Sequence, residues 1–355
     1  MKMKKLFVTI TALALVTTIS VSCKRKKENV APEPDTETQS GVDAAWATFV
    51  VTDIEQQCAC MSEDLHAKSF YSPTPESYDP ATATGSILPT HNLPNKFYSW
   101  AYNNTKCLDG NRRDGSIFVR YGPDPQYNPN SNPNSIYYRD YGFVGRVTLS
   151  SYKINGWLIE TESYLGVPGG PAIIYNLVER DDYDPAITKL KWRIVGRFIL
   201  HHPTDPTKDM IWDGDIIKTL TNSTDRRVFN ATRTNKNTAI TWSLGVVSYE
   251  GTVKGTTEGN VAYTATLSST NPLVRDFTCY SDKVAGVALA GASVDIRPLE
   301  FHPITQGIMS FKTGDKYVRQ IYFGNEGNPD SPGQCDNSGE VLIKGLTYKI
   351  DFRKQ

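Results

Sequence analysis

A chain of 355 residues with 39 % hydrophobic residues, 21 % charged residues and no formal net charge can bury a large core, and lacks the excess of basic residues that nucleic-acid binding requires. One large β domain or two smaller ones both fit this length. No stretch is apolar over the roughly 20 residues that a membrane-spanning helix needs, so none is expected.

The chain opens with Lys2, Lys4 and Lys5, then an apolar run from Leu6 to Ile19, then the small-residue triplet Ser20, Val21 and Ser22. This order is that of a secretory signal peptide, expected over residues 1–22. Immediately after it stands Cys23, followed by the basic run Lys24, Arg25, Lys26 and Lys27. These residues resemble the bacterial lipoprotein signal, in which the peptide is cut before a cysteine whose thiol receives a diacylglyceryl group. Ser20 departs from that pattern, which usually has Leu there. The resemblance implies that Cys23 is lipidated and tethers the protein to a membrane through its acyl chains. Cleavage by ordinary signal peptidase, leaving an unmodified Cys23, is the alternative. The basic run either pairs with anionic head groups or is simply solvated.

Residues 23–42 are polar and charged with two prolines, and read as a lipidated cysteine and flexible tether. Asp43, placed to cap a first turn, is followed by Trp46, Phe49, Val50, Ile54 and Cys58 at helical spacing. One short amphipathic helix is therefore expected over about 43–60. Within it Cys58 and Cys60 point to different sides and cannot bond each other. The Pro-, Ser- and Asn-rich residues up to 100 read as an irregular connection.

From residue 101 to 355 the pattern changes to short alternating segments separated by Gly, Asn, Asp and Pro. "GRVTLSSYKINGWLIETESY" (145–164) carries an Asn155-Gly156 hairpin turn. In "GLTYKIDF" the apolar Leu346, Tyr348, Ile350 and Phe352 alternate with Thr347, Lys349 and Asp351. The expected class is all-β: antiparallel sheet built from successive hairpins, sandwich-like or extended, with two subdomains dividing near residue 205 as one option.

Five cysteines follow Cys23, namely Cys58, Cys60, Cys107, Cys279 and Cys335. An oxidising envelope compartment favours pairing, and Cys279 with Cys335 is the expected disulfide because both flank strands of the C-terminal half; Cys107 is a further candidate. No CxxC pair is present, which disfavours a structural zinc site.

The segments "CLDGNRRDGSIFVRYG" (107–122) and "CDNSGEVLIKGLTYKIDF" (335–352) both run from cysteine through an Asp/Asn-rich turn to a strand. Together with "YEGTVKGTTEGNVAYTATLSSTNPLVRDFTC" (249–279), they resemble a family of uncharacterised Bacteroidetes-type envelope lipoproteins. The matching residues are Cys107, Asp109, Gly110, Arg113, Gly115 and Ile117, then Cys335, Asp336, Asn337, Val341, Gly345, Tyr348 and Ile350. The resemblance implies a lipid-anchored envelope protein and lends no activity. The family's surface-export signals are acidic just after the lipidated cysteine, whereas the run here is basic, which favours the periplasmic face of the outer membrane over the cell surface.

Candidate chemistry is sparse. His201 and His202 are followed by Asp205 and Asp209, but adjacent strand residues face opposite ways and do not share a metal naturally. Glu160 and Glu162 lie on one strand face at a separation that glycosidases use, yet such pairs usually come from different elements. The acidic turn at 179–185 and the Asp213-Gly214-Asp215 segment lack the spacing of a calcium loop. No phosphate loop, nucleophile elbow or HExxH motif occurs, so no cofactor, metal or catalytic residue is assigned. Tyr127, Tyr137, Tyr138 and Tyr141, around an Asn/Pro-rich loop, are candidate contacts to a glycan or an envelope protein; the other reading is that tyrosine is a good strand former. A non-catalytic binding or assembly module is the leading expectation, and a carbohydrate-active hydrolase the alternative.

Overall fold

The computed structural model describes residues 36–63, 87–92, 96–106, 111–124, 135, 138–162, 170–177, 189–222, 245–276, 304–323, 338–343 and 345–351. Thr38–Gln355 forms one compact unit. Among the described residues one α-helix, α1 (Thr36–Glu63), precedes fifteen antiparallel strands that all belong to one sheet.

The strands are β1 (Ile87–Asn92), β2 (Phe97–Lys106), β3 (Arg112–Tyr121), β4 (Val144–Ile154), β5 (Trp157–Glu162), β6 (Ala172–Asn176), β7 (Lys191–His201), β8 (Met210–Leu220), β9 (Val246–Thr256), β10 (Ala262–Leu267), β11 (Leu273–Asp276), β12 (Ile304–Thr313), β13 (Arg319–Phe323), β14 (Ser338–Ile343) and β15 (Leu346–Asp351). Neighbours in the sheet are mostly neighbours in sequence, as hairpin connections require. Two lanes are shared by a pair of short strands. β5 and β6 both lie between β4 and β7, and β10 and β11 both lie between β9 and β12.

The all-β expectation holds, with four corrections. Residues 87–106, within and beyond the expected irregular connection, contain β1 and β2; Pro89 is compatible with β1 because that strand is at the sheet edge and pairs only with β2. The body does not divide near residue 205, because β7 and β8 pair from Lys191↔Thr219 to Leu200↔Met210. The helix starts at Thr36, within the expected tether, and is 28 residues long. Asp43 is therefore not an N-cap; its carboxylate accepts bonds from Gln39 Nε2 at 2.8 Å and from the Glu258 amide at 2.9 Å.

The last correction concerns the helix surface. Rather than presenting one apolar stripe and one wet face, α1 is buried all round from Asp43 to Met61. Strands from many parts of the sheet reach it. Gly41 lies against Phe311 of β12 and Val341 of β14, Trp212 of β8 donates to Thr48 Oγ1 at 3.3 Å, and Tyr102 of β2 donates to Gln57 Oε1 at 2.6 Å. The sheet is wrapped around the helix.

Alternation along the strands explains how the wrap is filled. In β8 the inward row is Met210, Trp212, Gly214, Ile216, Lys218 and Leu220, and the intervening residues are partly exposed. Gly214 pairs with Gly196 of β7, and the Trp212 ring lies over Gly214 with Phe198 set edge-on at 5.8 Å. Gly214 thus makes the space for an indole that reaches the helix, while Gly196 makes room for Ala172 and Phe198. Turn chemistry fits equally well: Asn155 and Gly156 both take positive φ, 51° and 86°, as a two-residue hairpin turn demands.

Burying the polar side of α1 requires partners, and these come from inward-facing cations. Asp53 pairs with Arg113 of β3 at 2.8 Å and Arg275 of β11 at 3.4 Å, and takes a bond from Gln57 at 2.9 Å. Glu55 pairs with Lys218 of β8 at 3.0 Å and accepts hydrogen bonds from the hydroxyls of Tyr138 and Tyr249. Lys218 also donates to Gln56 Oε1 at 2.7 Å. The carboxylates and cations of both groups are at most 1 % exposed, so bulk solvent does not screen their charge. Burial pushes Glu55 up, opposed by Lys218, and pushes Lys218 down, opposed by Glu55.

Removing one partner of such a pair leaves the other charge buried and unmatched, at a cost of about 3–5 kcal/mol, whereas replacing both by neutral groups is much milder. Lys218→Met is therefore expected to lower unfolding stability by about 3–5 kcal/mol, and Glu55→Gln combined with it to restore a large part of that loss. Denaturant unfolding of the two single variants and the double variant measures this. Additive losses would contradict the pairing.

Candidate functional site

Of the ionisable residues singled out from the sequence, Glu160, Glu162, His201, Asp213 and Asp215 lie on the outer face of β5, β7 and β8, where strand register pairs them off, and His202, Asp205 and Asp209 lie in the β7–β8 connection. Leu158 is opposite His201, which sets Glu160 diagonal to the imidazole; Glu162 is directly opposite Arg197. His201 Nε2 lies 3.3 Å from Glu160 Oε2, and its Nδ1 lies 2.6 Å from Asp209 Oδ2. Glu162 Oε2 is 3.1 Å from Arg197 Nε. In the Asp213-Gly214-Asp215 segment, Asp213 pairs with Lys254 at 3.4 Å and Asp215 with Arg193, whose other terminal nitrogen donates to the Tyr175 hydroxyl at 3.0 Å.

Both nitrogens of His201 thus face carboxylates, an arrangement that suits the imidazolium and leaves no ring lone pair to act as a base or metal ligand. Burial works against the charged ring, but the hydrogen bonds to Asp209 and Glu160 outweigh it and raise the pKa. The other oxygen of Asp209 accepts the His202 amide at 2.8 Å, and His202 Nδ1 accepts the amides of Thr204 at 3.3 Å and Asp205 at 3.1 Å. Asp205 then caps the short 3-10 turn Pro206–Lys208 through the Thr207 amide at 3.0 Å. The His202 ring sits edge-on to Trp157 at 4.9 Å. The two histidines do not converge on a ligand; they brace the β7–β8 connection.

Among the described residues no three His, Cys, Asp or Glu side chains are grouped to hold a metal ion. Cys58 and Cys60 are buried and not bonded to each other, as their helical spacing requires, and Gln56 Nε2 donates to Cys60 Sγ at 3.5 Å. Burial, reinforced by Glu55, pushes the Cys58 thiol well up and keeps it unreactive. Cys23, Cys107, Cys279 and Cys335 lie outside the described residues, as do Tyr127, Tyr137 and the acidic turn at 179–185.

The aromatic patch needs correction at Tyr138. Its side chain is fully buried, with its ring tilted against Trp192 at a centroid distance of 4.6 Å, beneath the Lys218 ammonium at 5.2 Å, with its hydroxyl donated to Glu55. It belongs to the ion-pair group around the helix and is not open to a ligand. Tyr141 is partly exposed, and its backbone carbonyl accepts from Ser135.

The residues that the sequence reading passed over are Asp53, Glu55, Lys218 and Arg275, and Arg113 was named there only as part of a motif, with no role. A signal for two of them was present in the alternation: Lys218 shares a parity with Met210, Trp212, Ile216 and Leu220, and Arg275 with Leu273. A cation in an apolar row marks a buried partner of opposite sign.

The chain matches no known family model, no curated protein and no solved structure.

The His201 clamp predicts a pH dependence. A raised folded pKa means that the imidazolium stabilises the fold fully below the ordinary value of 6.5, and that this contribution is lost as pH rises through the folded value. Unfolding free energy measured from below to above neutrality should fall more steeply for the unsubstituted protein than for His201→Gln. Parallel profiles would show that the clamp does not form.

Proposed function

We propose that this is a lipid-anchored cell-envelope protein, attached through Cys23, whose β body acts as a non-catalytic binding or assembly module. The observation that carries the reading is the order of residues at the start of the chain: basic residues, an apolar run, Ser22, then Cys23 and a polar stretch. Two features of the body support it. No described helix is long and apolar enough to cross a membrane. The outer-face carboxylates Glu160, Glu162, Asp213 and Asp215 each face a cation across the sheet, an arrangement that favours a rigid scaffold over paired acid and base groups.

Membrane attachment at the periplasmic face of the outer membrane is the location this reading favours, with a glycan or an envelope protein as partner. The expected result is an N-terminal peptide that begins at Cys23 and carries the mass of a diacylglyceryl group. In intact cells the body should be protected from a non-permeant protease. An unmodified Cys23 peptide would overturn the anchor, and cleavage in intact cells would move the protein to the cell surface.

A further inference from the structure

Large apolar side chains that stand exposed are few among the described residues: Phe118, Val261, Tyr317, Val318 and Leu346. All but Phe118 lie at the tips of three hairpins, β9–β10, β12–β13 and β14–β15. These tips are neighbours. The Gly314 amide donates to the Ala262 carbonyl at 3.2 Å, joining the first two, and Tyr317, Val318, Leu342 and Gly345 line one open depression that joins the second and third.

The exposure is built in. Tyr317 is 80 % exposed and Val318 62 %, yet their turn is braced. The Lys316 amide donates to the Thr313 carbonyl at 3.0 Å, and the buried Arg319 guanidinium donates to the Tyr317 carbonyl at 2.6 Å. In β15 the core-facing row runs from buried Ile350 through Tyr348, which packs on the core, to Leu346, which is 47 % exposed. The row outruns the core at the hairpin tip. Leaving a tyrosine, a valine and a leucine exposed to water at adjacent tips of a fixed frame is unfavourable unless something covers them.

The same tips stand at the end where the polypeptide enters the compact unit. Asp43 accepts the Glu258 amide from the β9–β10 turn, and Gly41 lies against Phe311 and Val341 of the strands that lead to the other two tips. Thirteen peptide steps separate Cys23 from Thr36 and span at most about 45 Å when fully extended. An anchor at Cys23 is therefore joined to the body at this end, within about 45 Å of it.

We propose that the cluster of Val261, Tyr317, Val318 and Leu346 is a membrane-docking surface that enters the boundary between head groups and acyl chains. Its orientation rests on the lipid-anchor reading; its chemistry does not. Tyrosine suits that boundary, with an apolar ring and a hydroxyl for the wet side. Exposed Asp315 and Lys316 stand side by side on the tip, so apolar burial rather than attraction to anionic lipid drives the contact. Docking adds a second, weak hold to the acyl anchor and fixes which face of the body points away from the membrane.

The test uses the chain from residue 24 onward, which retains the whole compact unit and has no Cys23 to acylate. Flotation with vesicles of phosphatidylethanolamine and phosphatidylglycerol should recover this protein at low and high salt alike. Replacing Tyr317, Val318 and Leu346 together by Ser should weaken recovery about tenfold while leaving thermal unfolding unchanged. No flotation of the unsubstituted chain, or equal flotation of the variant, overturns the proposal. So does a concentration-dependent dimer that the variant loses without any vesicle binding, which would assign the patch to a second copy. Flotation found alongside an unmodified Cys23 in the full-length protein supports docking and overturns the anchor alone.

Discussion

The fold depends on neutralising the polar side of one buried helix. Asp53 and Glu55 project from α1 into space that the sheet encloses, and a carboxylate withdrawn from water is tolerated only beside a cation or a set of donors. Arg113, Arg275 and Lys218 supply the cations, from three strands that are far apart along the chain: Arg113 lies 60 residues from Asp53, Arg275 222 residues, and Lys218 163 residues from Glu55. Each pair therefore fixes a different part of the sheet against the helix. Apolar contact alone would hold the wrap together, but it is non-directional; the paired charges select one rotation and one height of the helix.

This arrangement assigns different tasks to different parts of the molecule. The inward rows and the helix are committed to structure, and even chemically versatile groups there, Cys58, Cys60, Tyr138 and Tyr249, are sealed among packed neighbours. The outer strand faces carry cross-strand ion pairs that hold their neighbours in register. Hairpin tips and connections are what remains for contact with other molecules, and on one end they carry exposed apolar side chains on a braced frame. A rigid body with its interaction groups at the rim suits a protein that works by holding a position, whether against a membrane or against a partner.

Much of the sheet was legible because antiparallel strands with one wet face announce themselves by alternation. The Asn155-Gly156 turn was read from chemistry that requires positive φ, and β4, β5 and β15 from alternation of apolar and polar residues; β8, which carries Asp213-Gly214-Asp215 at its middle, was not read. The helix was legible only in part. Trp46, Phe49, Val50 and Ile54 mark one apolar face, and the ordinary inference that the opposite face is wet fails here because the sheet closes over it. Nothing local in the sequence indicates that closure; it depends on pairing between residues remote in the chain. Tyr138 was misplaced for the same reason, since a tyrosine in an Asn/Pro-rich stretch gives no local sign that it reaches inward to Glu55. The paired carboxylates Glu160 and Glu162 were correctly placed on one face, but their partners Arg197 and His201 come from register that only the folded sheet supplies.

The central claim, that the helix is enclosed and locked by the sheet, is tested most directly by native-state hydrogen exchange across a denaturant series. If the lock holds, the amides of α1 from Trp46 to Cys58 exchange only through global unfolding, with the same free energy and the same denaturant dependence as those of β8 and β9. Exchange of the helix amides at a lower free energy that is insensitive to denaturant, while the strands stay protected, would mean that α1 leaves the sheet independently and that the buried ion pairs do not hold it.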